Sequence, residues 1–195
     1  MLHKFVIHTD GGSRGNPGPA AIGVVISVEV SVEVKPQGRA KRFNLNPDSR
    51  NLRGPTSETR FDLGSSGWTK ATPKGGEPRL ASRREYGEYI GITTNNVAEY
   101  QAVIFALKKL KQLIGNDNAE KAEVVFYMDS ELLMKQLNHE YKVKEENIQK
   151  LFLEVHNLRL DFGKVEFKHV LRGKNTAADK LVNQVLDRES NKLDL

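Results

Sequence analysis

The sequence predicts an α/β fold: a mixed five-stranded sheet with helices packed on it, in the order β-β-β-α-β-α-α-β-α. Two observations predict it. Three β-patterned runs come first, separated by turn residues, as in a meander. Beyond Ile92, segments with helical spacing alternate with short apolar runs.

The elements follow in order. Phe5 to Asp10 is a short apolar run that ends in the turn-rich stretch Gly11 to Pro19. Ala20 to Val34 resumes a β pattern, and Val28, Val30, Val32 and Val34 alternate with polar residues, which predicts a strand with one buried face. Tyr86 to Ile92 reads as a third strand. Thr93 to Asn96 are capping residues for a helix over about Val97 to Leu113, with Ala98, Ala102, Phe105, Ala106 and Leu110 at helical spacing and Gly115-Asn116 at its end. Ala122 to Met128 is almost continuously apolar, which suits a central strand covered on both faces. Asp129-Ser130 caps a short helix over Glu131 to Asn138. A longer helix spans about Glu145 to Asp161, Val165 to Leu171 is a fifth strand, and a last helix covers Thr176 to Glu189.

The 195 residues fit a single domain over 1–195 with one large insertion at about 36–84. That stretch is rich in Gly, Pro, Ser, Asn and Arg and has few periodic apolar residues, so little burial offsets its ordering entropy. Its only tryptophan, Trp68, is read as packing on the domain rather than stacking on a base. The formal net charge is +5, yet Arg39 to Arg84 alone holds eleven Lys/Arg against four Asp/Glu. A basic segment of this kind attracts phosphate backbones. The absence of cysteine excludes disulfides, thiolate metal sites and cysteine nucleophiles. No run approaches the ~18 apolar residues of a membrane span. The reading is a cytoplasmic, monomeric domain with no membrane partner, and only the charge pattern speaks to ligands.

Four acidic residues stand where acidic residues are scarce: Asp10 at the end of the first strand, Glu99 in the first turn of the first long helix, Asp129 at the end of the most apolar strand, and Asp179 in the first turn of the last helix. Strand ends and helix starts converge on one rim of a sheet. Each residue also has an ordinary reading as a cap, an Asx turn or a helix-dipole partner. Four together at element ends point to a metal centre, because clustered carboxylates repel one another and a divalent cation removes the conflict. An oxygen-only ligand set favours Mg²⁺ or Mn²⁺ over zinc.

These residues fall in four motifs. Thr9-Asp10-Gly11-Gly12-Ser13-Arg14-Gly15-Asn16-Pro17-Gly18-Pro19, Thr93-Thr94-Asn95-Asn96-Val97-Ala98-Glu99, Met128-Asp129-Ser130 and Asn175-Thr176-Ala177-Ala178-Asp179-Lys180-Leu181-Val182-Asn183 occur in that order. The set resembles the four motifs of type 1 ribonucleases H and spans nearly the whole chain except the insertion. The resemblance implies a ribonuclease H-like fold and an endonuclease that cuts the RNA strand of RNA–DNA hybrids with two metal ions, leaving 5′-phosphate and 3′-hydroxyl ends. It implies that Asp10, Glu99, Asp129 and Asp179 are catalytic and bind metal, with Asp10 bridging the two ions. Asp179 would serve the ion that activates water, and Glu99 and Asp129 the ion facing the leaving oxygen. It implies that Asn16, Asn95 and Asn96, with the backbone of Gly11, Gly12 and Ser13, contact the hybrid, and that Thr94 bonds a DNA phosphate. An amide can donate to and accept from the 2′-hydroxyl that distinguishes RNA from DNA.

The chain departs from the family pattern in two places. The loop before the last aspartate, Leu171 to Asn175, is short and lacks the histidine of the better-known bacterial enzymes; Arg172 and Lys174 are its charged residues and its candidate phosphate contacts. His169 falls in the expected strand and is read as structural, and His3, His8, His139 and His156 show no ligand spacing. The segment Leu137 to Glu146 is too short and too mixed in charge to form the basic protrusion those enzymes use on DNA, so the chain resembles the compact subgroup without it. The basic insertion is the expected substitute. A non-catalytic module binding hybrid or duplex RNA is the alternative, and four acidic positions speak against it. A resolvase or transposase of the same fold is disfavoured by the paired asparagines. Cleavage of duplex RNA stays open, since it shares the minor-groove 2′-hydroxyls.

Overall fold

The computed structural model describes residues 4–29 and 80–193. Its strands are β1 (Lys4–Ser13), β2 (Gly18–Glu29), β3 (Leu80–Thr93), β4 (Glu123–Met128) and β5 (Lys164–His169). Its helices are α1 (Asn95–Ile114), α2 (Asn116–Ala119), α3 (Glu131–Leu137), α4 (Glu146–Arg159) and α5 (Thr176–Leu193), with a 3₁₀ turn at Arg172–Lys174. The sheet order is β3-β2-β1-β4-β5. The first three strands pair antiparallel, whereas β1 with β4 and β4 with β5 pair parallel through helical crossovers. The mixed five-stranded α/β sheet read from the sequence is therefore the observed architecture.

β1 is the central strand, and helices cover the sheet on both faces. On one face α1, joined by α3 and α4, packs on Phe5, Ile7, Ile22, Val24, Ile26, Val124 and Phe126. On the other face α5 packs on β1, β2 and β3, with Val182, Val185 and Leu186 gathered around Ala21. The alternation at the end of β2 predicts one buried face. Instead every residue from Ala20 to Val28 is buried, because α5 closes over the face that a two-layer arrangement would leave wet. The alternating residues 30–34 on which that expectation rests lie outside the described residues.

The third strand begins at Leu80 rather than Tyr86, so the last residues assigned to the insertion are strand, with Arg83 opposite Ser27 and Arg84 opposite Ile26. β3 is a sheet edge, where pairing is carried by the backbone and polar side chains are tolerated, so its first half has no apolar rhythm. The rest of the expected insertion, Trp68 included, lies outside the described residues. Two short elements, α2 and the 3₁₀ turn, are too brief to carry a period that the sequence could display. Between α3 and α4 the chain passes through turns without a helix, as the absence of a basic protrusion requires. Among the described residues no helix is long and apolar enough to cross a membrane.

Candidate active site

Two close approaches build the site. A Cβ on Gly11 would stand 2.3 Å from the carbonyl carbon of Ala98 and from the Glu99 nitrogen, so only glycine lets α1 lie this tightly on β1. A Cβ on Gly23 would stand 2.2 Å from the Ala178 carbonyl oxygen, so glycine on β2 likewise admits the first turn of α5. Each contact sets a helical backbone beside the sheet at the residue next to a carboxylate, Glu99 in one case and Asp179 in the other.

Oxygens of Asp10, Glu99 and Asp129 all lie within 4.8 Å of one another. Asp10 is on β1, Asp129 directly follows β4, and parallel pairing of those strands brings them side by side. Glu99 lies in the second turn of α1 and not in the first. The helix begins at Asn95, two residues before the expected start, because the Thr94 hydroxyl accepts the Val97 N–H and serves as the cap. Asp179 is in the first turn of α5 as expected but stands outside the group of three. Its Oδ1 accepts from Arg172 Nη2 at 3.0 Å and its Oδ2 from Asn183 Nδ2 at 3.2 Å.

Burial and mutual repulsion shape the titration of this group. Asp10 is pushed up to about 7, first by desolvation and then by the charges of Asp129 and Asp179. Glu99 is raised well above the carboxylate range, again by desolvation first and then by Asp10 and Asp129. Hydrogen bonding from the Gly11 amide and the charge of Arg172 oppose both shifts without cancelling them. Glu99 is buried and its Oε2 has no hydrogen-bond partner. A buried, orphaned carboxylate oxygen facing two further carboxylates fits a hard divalent cation, since oxygen donors are what such ions take and a cation supplies the charge the site lacks.

The expected substrate residues lie at the end of β1, in the turn after it and at the start of α1. The Asn16 side-chain carbonyl accepts the Asn95 backbone N–H at 3.2 Å, joining the β1–β2 turn to the start of α1. A register shift between Ala20 and Ala21, opposite Gly91 at φ 85°, redirects β3 just before Thr93 and Thr94. Ser13 Oγ bonds the Gly15 carbonyl within the turn. Gly12 lies under α5, where an added Cβ would sit 2.9 Å from Val182. Gly11 and Gly12 thus owe their identity to packing as well as to any contact of their backbone.

Residues 81–185, more than half of the chain, match the family described as Reverse transcriptase-like. LC11-RNase H1, solved in complex with an RNA/DNA hybrid, superposes with a TM-score of 0.63 at 32% identity, covering 95% of this chain and 98% of that one. The chain belongs to the type 1 ribonuclease H family. It is also 30% identical over 184 residues to the bifunctional protein Rv2228c of Mycobacterium tuberculosis, covering 94% of this chain and 36% of that protein. Against the ribonuclease HI of Halobacterium salinarum the identity is 28%, over 91% of this chain and 62% of the relative. This ribonuclease H chain therefore spans little more than a third of the length of the Mycobacterium relative.

Side chains of this type 1 ribonuclease H that local sequence does not mark as functional complete the surroundings. Asn175 is 1% exposed, and its Nδ2 donates to the Thr9 carbonyl at 2.9 Å and to Asp129 Oδ1 at 3.0 Å. Tyr100 donates to Gln136 Oε1 at 2.9 Å, tying α1 to α3 within the core. A polar residue buried by tertiary contact leaves no trace in local periodicity. For Asn175 the one available signal is its place four residues before Asp179. Arg172, a candidate phosphate contact by sequence, pairs its guanidinium with Asp179. His169 ends β5 and is exposed. His139 and His156 meet edge to face at 6.3 Å.

Proposed function

We propose that this protein is a metal-dependent endonuclease that hydrolyses the RNA strand of RNA–DNA hybrids, leaving 5′-phosphate and 3′-hydroxyl ends. The observation that carries the reading is the group Asp10, Glu99 and Asp129, the first two buried and the third half-buried, with its partnerless Glu99 oxygen. Such a group is costly to a folded protein unless a cation is its purpose. Asp10, Glu99, Asp129 and Asp179 are the residues that would hold two Mg²⁺ or Mn²⁺ ions. Those ions supply, when bound, a nucleophile from water and charge stabilisation at the entering and leaving oxygens.

The chain's own contributions follow from its geometry. Asn16 commits its carbonyl to Asn95 and keeps its amide hydrogens for an acceptor such as a ribose hydroxyl. Thr94 accepts from Val97 and retains its own hydroxyl proton for a DNA phosphate. Asn95 and Asn96 begin α1; the Asn95 N–H is taken by Asn16 and that of Val97 by Thr94, and the positive end of the helix favours an anionic strand. The hybrid complex formed by LC11-RNase H1 supports this assignment of substrate. A binding module without catalysis gains nothing from the carboxylate group.

The test is incubation of end-labelled RNA–DNA hybrid, duplex RNA and duplex DNA with the full chain and Mg²⁺, Mn²⁺ or chelator, followed by analysis of the product ends. Metal-dependent cutting of the RNA in the hybrid, with ligatable 5′-phosphates, is expected. Binding of hybrid without cleavage under either metal would return the reading to a binding module.

A further inference from the structure

We infer that Asn175 is a positioning residue that fixes the Asp129 carboxylate in the metal centre; the inference rests on the metal-centre reading above. Asn175 lies between the Arg172–Lys174 turn and α5, and it is among the most completely buried polar residues described. Both hydrogens of its amide are committed, one to the Thr9 carbonyl and one to Asp129 Oδ1. The Thr9 carbonyl is on the residue that precedes Asp10. The backbone carbonyl of Asn175 accepts from Ala178 at 3.1 Å and from Asp179 at 3.2 Å, opening the first turn of α5. One residue therefore touches the backbone next to Asp10, the side chain of Asp129 and the backbone of Asp179.

The chemistry explains why asparagine suits the position. Asp129 directly follows the last residue of β4; a donor on Oδ1 holds the carboxylate and leaves Oδ2 for a ligand. An amide gives that donor without charge. A lysine or arginine there would compete with the cation, and an aspartate would add a further carboxylate against Asp129. The cost is visible: Asn175 Oδ1 is buried without a partner, an unfavourable state that packing alone does not call for. Groups that orient a metal ligand commonly influence affinity by about 10–100-fold.

The experiment is Mn²⁺ binding to the substrate-free full chain, followed by electron paramagnetic resonance, for the wild type, Asn175→Ala and Asn175→Asp, with metal-free thermal unfolding measured alongside. The expected result is affinity weakened at least about ten-fold in both variants at temperatures where each is folded, with Asn175→Asp the weaker despite its matched volume. A residue that merely ties α5 to β1 would lower the metal-free melting temperature and leave Mn²⁺ affinity as it was, and that outcome overturns the inference. Should Asn175→Ala fail to fold, the isosteric Asn175→Asp decides alone by the same criterion. Absence of Mn²⁺ binding in the wild type would instead overturn the metal-centre reading itself, and the two failures are thereby distinct.

Discussion

Asp10 is held in a state that a carboxylate does not choose in water. Its pKa of about 7 means that the metal-free folded protein binds a proton the unfolded chain releases near pH 4. A raised carboxylate pKa contributes stability below the unfolded value and loses it as pH rises through the folded one. The metal-free protein should therefore weaken from about pH 4 to pH 7 through this residue. Asp10→Asn removes the dependence, and at pH 8 without metal it should raise the melting temperature by roughly 4–8 °C, or about 2 kcal/mol once the shift is discounted for relaxation. Calorimetry at pH 5 and pH 8 checks this; a variant less stable than wild type at pH 8 would contradict the electrostatic explanation. The same proton competes with a cation, so metal binding should release protons and strengthen as pH rises through 7.

At the scale of elements, the site depends on two helices lying closer to the sheet than any side chain allows. Gly23→Ala places a methyl carbon against the Ala178 carbonyl and must push the first turn of α5 off β2. The expected cost is about 1–3 kcal/mol of stability, with Asp179 displaced from Arg172 and activity reduced beyond what the stability loss explains. Melting curves and turnover measured on the same preparation separate the two effects. Much at this scale is legible in the sequence. Ala122 to Met128 announces a central strand, although Glu123 and Tyr127 on it are only half-buried, and capping residues before Val97 announce α1. The start of β3 is not legible, because Arg83 and Arg84 sit on an edge where backbone pairing needs no apolar side chain. Nor is the second covered face of β2: the partner that covers it, α5, comes more than a hundred residues later in the chain. Asp10, Glu99 and Asp129 can be picked out from their positions, yet that Asp179 pairs with Arg172 outside their group, and that Asn175 reaches Asp129, depend on distances that only folding sets.

For the molecule as a whole, charge and chemistry are segregated. The carboxylates occupy the rim where β1, β4, α1 and α5 meet, while the excess of positive charge lies in the sequence from Arg39 to Arg84. An acidic centre needs help to attract a polyanion, and the basic segment is the candidate source. Deleting residues 36–79 should weaken hybrid binding and reduce the slope of log affinity against log salt by roughly one unit for each phosphate that the segment neutralises. Filter binding at several salt concentrations gives that slope, and an unchanged slope would remove the segment from the substrate-binding surface.

All of this turns on the carboxylate group around Asp10 being the metal centre of a hybrid-specific ribonuclease. The decisive comparison is cleavage of a labelled RNA–DNA hybrid by the wild type and by Asp10→Asn, at matched protein concentration and saturating Mg²⁺ or Mn²⁺. Expected are RNA cleavage by the wild type that chelator abolishes, and a loss of at least about 100-fold in a variant that remains folded and still binds hybrid. Equal cleavage by both proteins would move the chemistry away from Asp10 and refute the assignment.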